Sequence, residues 1–297
     1  MLAFLKSHFK KGIVMSRLGL CLALFLSATS QAYTGSVTAA TGNAGKAAVE
    51  ASDAPFGNPA SLGFMKGYYL TAGFGATKQS NMGNNQDLAV SVTDSMKDTV
   101  VPTSLSYAQN TLRPEGFSED VLTRDFKLSL GNQFRKQMSF GLGIVYEDNR
   151  LMEEKHVQTN VQAGFMWTPN PDLGAALVFD NVLKPSEDIP EPYRLKQTIG
   201  TGMSYNYKRF VRFKADLTSG SNNNFSKPTL AGGMESYLNR WMILRWGLAR
   251  DNELEANLYT AGLGFVGPRF GLHYAYQNSP QNESLTRHSV DMAIPIW

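Results

Sequence analysis

The stretch KHVQTNVQAGFMW, Lys155–Trp167, carries the signature on which the fold reading rests. Val157, Thr159, Val161, Ala163, Phe165 and Trp167 fall on one face of an extended chain. His156, Gln158, Asn160, Gln162 and Gly164 fall on the other. That is a strict period of two, the period of a strand and not of a helix. The apolar face ends on an aromatic, and the opposite face is amide-rich.

The same alternation recurs along the chain. In FVRFKADL (210–217), Val211, Phe213, Ala215 and Leu217 oppose Arg212, Lys214 and Asp216. In RFGLHYAYQ (269–277), Phe270, Leu272, Tyr274 and Tyr276 oppose Arg269, His273 and Gln277. In HSVDMAIPI (288–296), Val290, Met292, Ile294 and Ile296 oppose Ser289 and Asp291. MSFGLGIVY (138–146) sets Met138, Phe140, Leu142, Ile144 and Tyr146 against Ser and Gly, with Val145 the one breach. A soluble sandwich also alternates. Here the aromatics Trp167, Tyr146, Tyr205, Tyr207, Phe265 and Tyr276 close the apolar faces, which suits the girdles of a membrane barrel. The polar faces hold Gly, Ser, Asn, Gln and charges of both signs, as a wet lumen does.

The expected fold is therefore all-β, an antiparallel transmembrane barrel of about 14 strands. The strands are expected near 68–78, 86–93, 100–108, 124–134, 137–147, 155–167, 172–181, 195–206, 209–218, 227–238, 240–250, 255–265, 269–278 and 286–297. The second is short and the third contains Pro102, so a count of 12 stays open. Tight turns are expected near 135–137, 169–172, 207–209, 239–240 and 267–269. Longer connections are expected at 109–123, 148–154, 182–194, 219–226, 251–254 and 279–285. An even strand number puts both ends of the barrel on the periplasmic side. Trp297 ends the chain on an aromatic but lies one step out of phase with the outward residues.

Residues 1–32 carry Lys6, Lys10, Lys11 and Arg17 and no acid, then the apolar run Leu18–Ala28 and a small-residue ending at Ala32. That pattern is a secretory signal peptide cleaved near Ala32, with Met15 an alternative start. The apolar run is too short for a spanning helix, which needs roughly 20 residues. The whole chain has 28 bases and 25 acids, and losing the four leader bases leaves a net charge of −1. No basic stripe suggests nucleic acid as a partner. The one cysteine, Cys21, lies within the leader. His156, His273 and His288 make no pair at metal-ligand spacing, so neither metal, cofactor nor enzymatic activity is expected.

Between leader and strands lies GNAGKAAVEASDAPFGNPASLGF (42–64). Alanines around Val49 favour a short helix, and Pro55 and Pro59 stop it. A 14-stranded barrel is too wide for its own side chains to fill, so residues 33–66 are expected to plug the lumen of the 67–297 barrel. This stretch, with Asn58-Pro59-Ala60, resembles the N-terminal segment of FadL-type outer-membrane transporters of hydrophobic compounds. The last strands resemble the related PorV-like branch, through Gly233, Glu235 and Tyr237, Thr260–Phe265, Tyr274–Tyr276, and Thr286, Arg287 and His288.

The resemblance implies 14 strands, a lumenal hatch and a lateral exit through the wall. It places a site for a small hydrophobic ligand near Phe56, Asn58, Pro59, Leu62 and Phe64. The Pro102 strand is the candidate for the lateral opening. Inward Lys127, Arg212, Lys214, Asp216, Glu235, Arg245, His273 and Asp291 must pair or be hydrated, since a desolvated lone charge is costly. The expected partners are outer-membrane lipid and a fatty-acid-like ligand. The alternative is a PorV-like barrel that serves a secretion system or a structural role. A general porin is a third reading, against which the plug argues. The connections are shorter than those with which FadL-type barrels capture greasy ligands, which leaves the substrate class open.

Overall fold

The computed structural model describes residues 33–80, 83–116, 119–151, 154–221, 224–281 and 285–296. Residues 1–32, on which the expected signal peptide falls, and Phe117 and Trp297 lie outside these residues. Fourteen strands form one closed barrel in which each strand pairs with its chain neighbours and β1 pairs with β14. In order they are β1 Gly67–Gln79, β2 Gly83–Ser95, β3 Thr103–Pro114, β4 Val121–Arg135, β5 Met138–Leu151, β6 Glu154–Asn170, β7 Leu173–Asp180, β8 Thr198–Tyr207, β9 Val211–Gly220, β10 Thr229–Tyr237, β11 Met242–Asp251, β12 Ala256–Val266, β13 Gly271–Ser279 and β14 Leu285–Ile296. Every expected strand is present, and the count is 14. Closure removes all sheet edges, which is the condition for strands to live in lipid.

The faces follow the sequence phase. On β6, Val157 and Trp167 are exposed while Gln158, Asn160, Gln162 and Met166 are buried. On β13, Leu272, Tyr274 and Tyr276 are exposed while His273, Ala275 and Gln277 are buried. Exposed Leu, Phe, Val, Ile and Tyr thus wrap the barrel, and the interior is lined by Ser, Thr, Gln, Asp and Lys. Apolar surface on this scale excludes an aqueous exterior, so the barrel spans a membrane. Tyr107, Phe126 and Tyr146 meet as tilted rings across β3, β4 and β5, with successive centroids 4.9 and 6.3 Å apart, as one arc of a girdle.

The connections depart from expectation in two places. Pro102 was expected inside the third strand, but β3 begins at Thr103. A proline donates no hydrogen bond, so the ladder starts just after it. The connections expected at 109–123 and 148–154 are largely strand, because β3 to β6 extend beyond the apolar belt through polar residues such as Asn110, Asp148 and Asn149. The alternation of polar and apolar residues fades there, and the ladder continues without it. The one long connection joins β7 to β8 through residues 181–197.

We call the end where β1 starts and β14 finishes the basal end, and the other the apical end. An inner segment from Tyr33 to Lys66 occupies the lumen. It holds helix α1 (Ser36–Ala40), helix α2 (Ala54–Gly57) and a 3₁₀ turn over Pro59–Phe64. The expected helix around Val49 is absent; residues 45–53 form turns at 46–47 and 51–53 joined by irregular chain, and the helix lies upstream at Ser36–Ala40. Gly42 and Asn43 adopt positive φ, at 68° and 66°, which ends α1 and reverses the chain before the alanines.

Candidate functional site

The inner segment is held by side chains that reach in from the wall. Lys127 Nζ donates to the Phe56 carbonyl at 2.8 Å, Ser129 to Pro55 at 3.3 Å and Gln162 to Gly57 at 3.1 Å. Ser204 donates to the Ala47 carbonyl at 2.9 Å. Asp216 Oδ2 accepts from the backbone N–H groups of Gly45 and Lys46, at 2.8 and 3.0 Å. Thr260 donates to the Ala40 carbonyl and accepts from the Gly42 N–H. Gln277 donates to Ala39, and Asp291 accepts from the Ser36 N–H and the Tyr33 hydroxyl. A short irregular segment has few backbone partners of its own, and a buried amide left unpaired is costly. The polar lumen supplies those partners.

Inward glycines mark where backbone meets backbone. A Cβ at Gly141 would strike the Pro59–Ala60 peptide, and one at Gly247 would strike Thr41–Gly42. Facing residues with side chains would push the segment off the wall. Asn58 fixes the turn between the helices. Its Oδ1 caps the 3₁₀ turn by accepting from the Ala60 N–H at 3.0 Å, and its Nδ2 donates to the Lys46 carbonyl at 2.8 Å.

The expected lumenal network divides into two kinds of group. Arg212, Lys214, Glu235, Arg245 and His273 form one buried cluster toward the basal end. Glu235 pairs with Lys214, and lies 3.8 Å from both Arg212 and Arg245. Arg245 Nη1 lies 3.2 Å from His273 Nδ1. The inner segment joins this cluster through Glu50, which pairs with Arg212. Lys127, Asp216 and Asp291 stand apart and grip the inner segment one by one. Among the described residues no group of His, Cys, Asp and Glu has the arrangement to hold a metal.

Above the inner segment a cavity of about 440 Å³ opens toward the apical end. Asn58, Ala54 and Ser61 form part of its floor, and Leu112, Val121, Tyr193 and Leu195 part of its wall. Of the five residues expected to touch ligand, Asn58 lines this space. Phe56 instead packs edge-on against Tyr33, with centroids 5.1 Å apart, beside Ala89 and Ala108. Leu62 is fully buried against Ala54 and Met65, Pro59 is fully buried, and Phe64 is half-buried.

The wall beside Pro102 is closed. The β2–β3 ladder runs from Gly83↔Pro114 to Asp94↔Thr103, and the β3–β4 ladder from Thr103↔Leu130 to Leu112↔Val121. The Pro102 carbonyl itself accepts from the Gly131 N–H at 3.0 Å. The short ladder is elsewhere. Toward the apical end β6 and β7 last pair at Ala163↔Phe179, whereas β5 and β6 continue through nine further pairs to Leu151↔Glu154.

Residues 181–197 fill the space beside the free stretch of β6. Val182 N–H donates to the Val161 carbonyl at 2.9 Å. Beyond it side chains take over. Asn160 exchanges two hydrogen bonds with Leu183, and Gln158 exchanges two with the backbone of Tyr193 and Leu195. His156 stacks on Tyr193 at 5.3 Å. Ile189 and Tyr193 pack on Leu112 and Val121 from β3 and β4. Sequence reading singled out none of these as functional. Their signal was two inward amides, Gln158 and Asn160, opposite the longest connection in the chain.

No family model matches this chain, and no curated protein matches it. Solved structures do. A FadL homologue from Pseudomonas aeruginosa is 11% identical with a TM-score of 0.65, covering 88% of this chain and 98% of its own. The fold is that of the FadL-type barrel. The toluene transporter TodX from Pseudomonas putida is 10% identical with a TM-score of 0.67, covering 89% and 98%. A TodX monoaromatic hydrocarbon channel carrying a deltaS2 mutation reaches 0.70 at 9% identity, covering 90% and 99%. At these identities the likeness is one of fold.

Proposed function

We propose that this chain is an outer-membrane barrel through which small hydrophobic molecules pass without an energy source, with its basal end toward the periplasm. The observation that carries the reading is the seam between β6 and β7. The segment that fills it leaves Val182 and Leu183 exposed, at 45% and 48%, and sets Tyr193 and Leu195 against the cavity. It is the one described part of the wall where side-chain hydrogen bonds replace a backbone ladder over several residues. A greasy molecule crossing there moves between cavity and lipid without meeting the basal ion cluster. The fold shared with FadL and TodX supports the same reading. The seam replaces Pro102 as the site of the lateral opening, and the inner segment serves as the hatch that floors the cavity.

The test is uptake of a fluorescent medium-chain fatty acid into liposomes holding the refolded barrel. Uptake should exceed that of empty liposomes. It should fall when Asn160→Cys and Leu183→Cys are joined by a disulfide, and return on reduction. Uptake that ignores the disulfide removes the seam from the route.

A second reading is a sealed, non-transporting barrel like the PorV-like branch. What favours it is the grip on the inner segment, which eight strands share through hydrogen bonds. Liposomes that take up no fatty acid and leak no ions would support this reading over transport.

A further inference from the structure

The two ends of the barrel carry opposite charge. At the basal end, Arg135 ends β4, the β4–β5 connection carries Lys136, β8–β9 carries Lys208 and Arg209, β10–β11 carries Arg240, and β12–β13 carries Arg269. Lys66 and Lys97 add to the same rim, and its connections hold two acids, Asp98 and Asp172. At the apical end acids prevail: Glu115, Glu119 and Asp120 lie together before β4, and Glu253 and Glu255 before β12. All the basal cations named are exposed, and none makes an ion pair among the described residues.

Those cations also point a particular way. Arg240 lies over the Trp241 ring at 4.7 Å, and Lys208 over the Tyr207 ring at 5.2 Å. Both rings belong to the outer surface. Phe210 and Leu238 lie in the same connections, 64% and 54% exposed, Phe134 is 58% exposed at the basal end of β4, and Phe265 and Phe270 pack together at 5.6 Å. Aromatic side chains of this kind settle at the boundary between acyl chains and head groups. A guanidinium or ammonium held over such a ring sits at the depth of lipid phosphate. A cation there is attracted to anionic head groups, an attraction that falls off within a Debye length.

We propose that the basal rim is a binding surface for anionic phospholipids, gripping their phosphates with the Arg135–Lys136, Lys208–Arg209, Arg240 and Arg269 clusters while the neighbouring aromatics rest among the acyl chains. This goes beyond the transport reading and does not depend on it. The rim selects the lipids that surround the basal half of the barrel.

The experiment is native mass spectrometry of the purified full-length barrel in detergent. It is titrated separately with phosphatidylglycerol, phosphatidylethanolamine and inorganic phosphate. The wild type should retain phosphatidylglycerol at least fivefold more than phosphatidylethanolamine. The variant K208Q/R209Q/R240Q/R269Q should lose that preference. A control, K184Q/K196Q in the β7–β8 connection, should keep it. Heat-modified mobility on gels checks that both variants form the barrel. A variant that misfolds is replaced by R240Q alone, expected to lose part of the preference. Equal retention of the two lipids, or a preference that survives neutralisation, overturns the proposal. So does displacement of lipid by equimolar inorganic phosphate, which would assign the rim to a soluble anion.

Discussion

Asn160 on β6 and Leu183 in the β7–β8 connection hold each other by a reciprocal pair of hydrogen bonds. Asn160 Nδ2 donates to the Leu183 carbonyl at 2.9 Å, and the Leu183 N–H donates to Asn160 Oδ1 at 2.9 Å. A side-chain amide here does what a strand backbone does elsewhere in the wall. Asn160→Leu removes both bonds and keeps the volume. Each hydrogen bond contributes about 1 kcal/mol. The expected outcome is faster proteolysis within residues 184–188 and faster fatty-acid uptake, with the barrel intact on a heat-modifiability gel. Unchanged cleavage would mean that the Gln158 and Tyr193 contacts suffice.

Gly141 and Gly143 lie on the same inward face of β5, two residues apart. A Cβ at Gly141 meets the Pro59–Ala60 peptide, whereas one at Gly143 meets the flexible end of Lys127 at 3.0 Å. Gly141→Val should destabilise the folded barrel by about 1–3 kcal/mol, the usual cost of overpacking. Gly143→Ala should cost well under half of that. Urea unfolding in detergent or lipid, followed by tryptophan fluorescence, reads both. Equal effects would mean that the inner segment shifts freely.

Glu235 is fully buried among Lys214, Arg212 and Arg245. Glu235→Ala leaves three cations facing one another with Glu50 as the remaining acid beside Arg212. Breaking one side of a buried pair costs about 3–5 kcal/mol. Adding Lys214→Met should recover part of that loss, because it removes one of the stranded charges. A double-mutant cycle on unfolding free energy gives the answer, and strict additivity would show that the two residues do not interact.

Asp53, in the inner segment and outside the strands, supplies a pH dependence. Its Oδ2 accepts from the Thr38 N–H and hydroxyl, and among the described residues its Oδ1 has no hydrogen-bond partner. Burial first, then the nearby Asp291 carboxylate, raise its pKa to about 7, against the pull of the Thr38 hydroxyl and Lys214. A carboxyl whose folded pKa is raised holds its proton more tightly when folded. Its contribution to stability is therefore full below about pH 4 and lost as pH rises to about 7. The inner segment should resist protease better at pH 5 than at pH 8, and Asp53→Asn should remove most of the difference. A variant with the wild-type pH profile would locate the titration elsewhere.

How much of this was legible in the sequence depends on which physics left a trace. Lipid on one side and water on the other force an alternation with period two, so all 14 strands could be read in order. The trace weakened beyond the lipid, where β5 runs on through Asp148, Asn149 and Arg150, and those residues read as loop. Pro102 was visible as a ladder problem, but a proline just before a strand and one inside it leave the same mark in sequence. Lys127, Asp216 and Asp291 could be recognised as inward charges. That they grip carbonyls and amides of the inner segment could not, because their partners are backbone groups that any residue supplies. Gln158 and Asn160 stood in the first strand read, yet amides on a polar face look alike until their neighbours are known.

The seam between β14 and β1 closes the barrel, and the inner segment touches both of its sides. Tyr33 and Ser36 reach Asp291 on β14, Tyr33 lies against Gly73 on β1, and Arg287 of β14 bridges to Thr34 and to Asp87 on β2. The inward glycines that face this segment, Gly141 and Gly247 among them, leave room for its backbone and for no added side chain. The segment is thus a seal laid across the joint: without it Asp291, Asp216 and Lys127 would face the lumen stripped of the backbone groups they now hold.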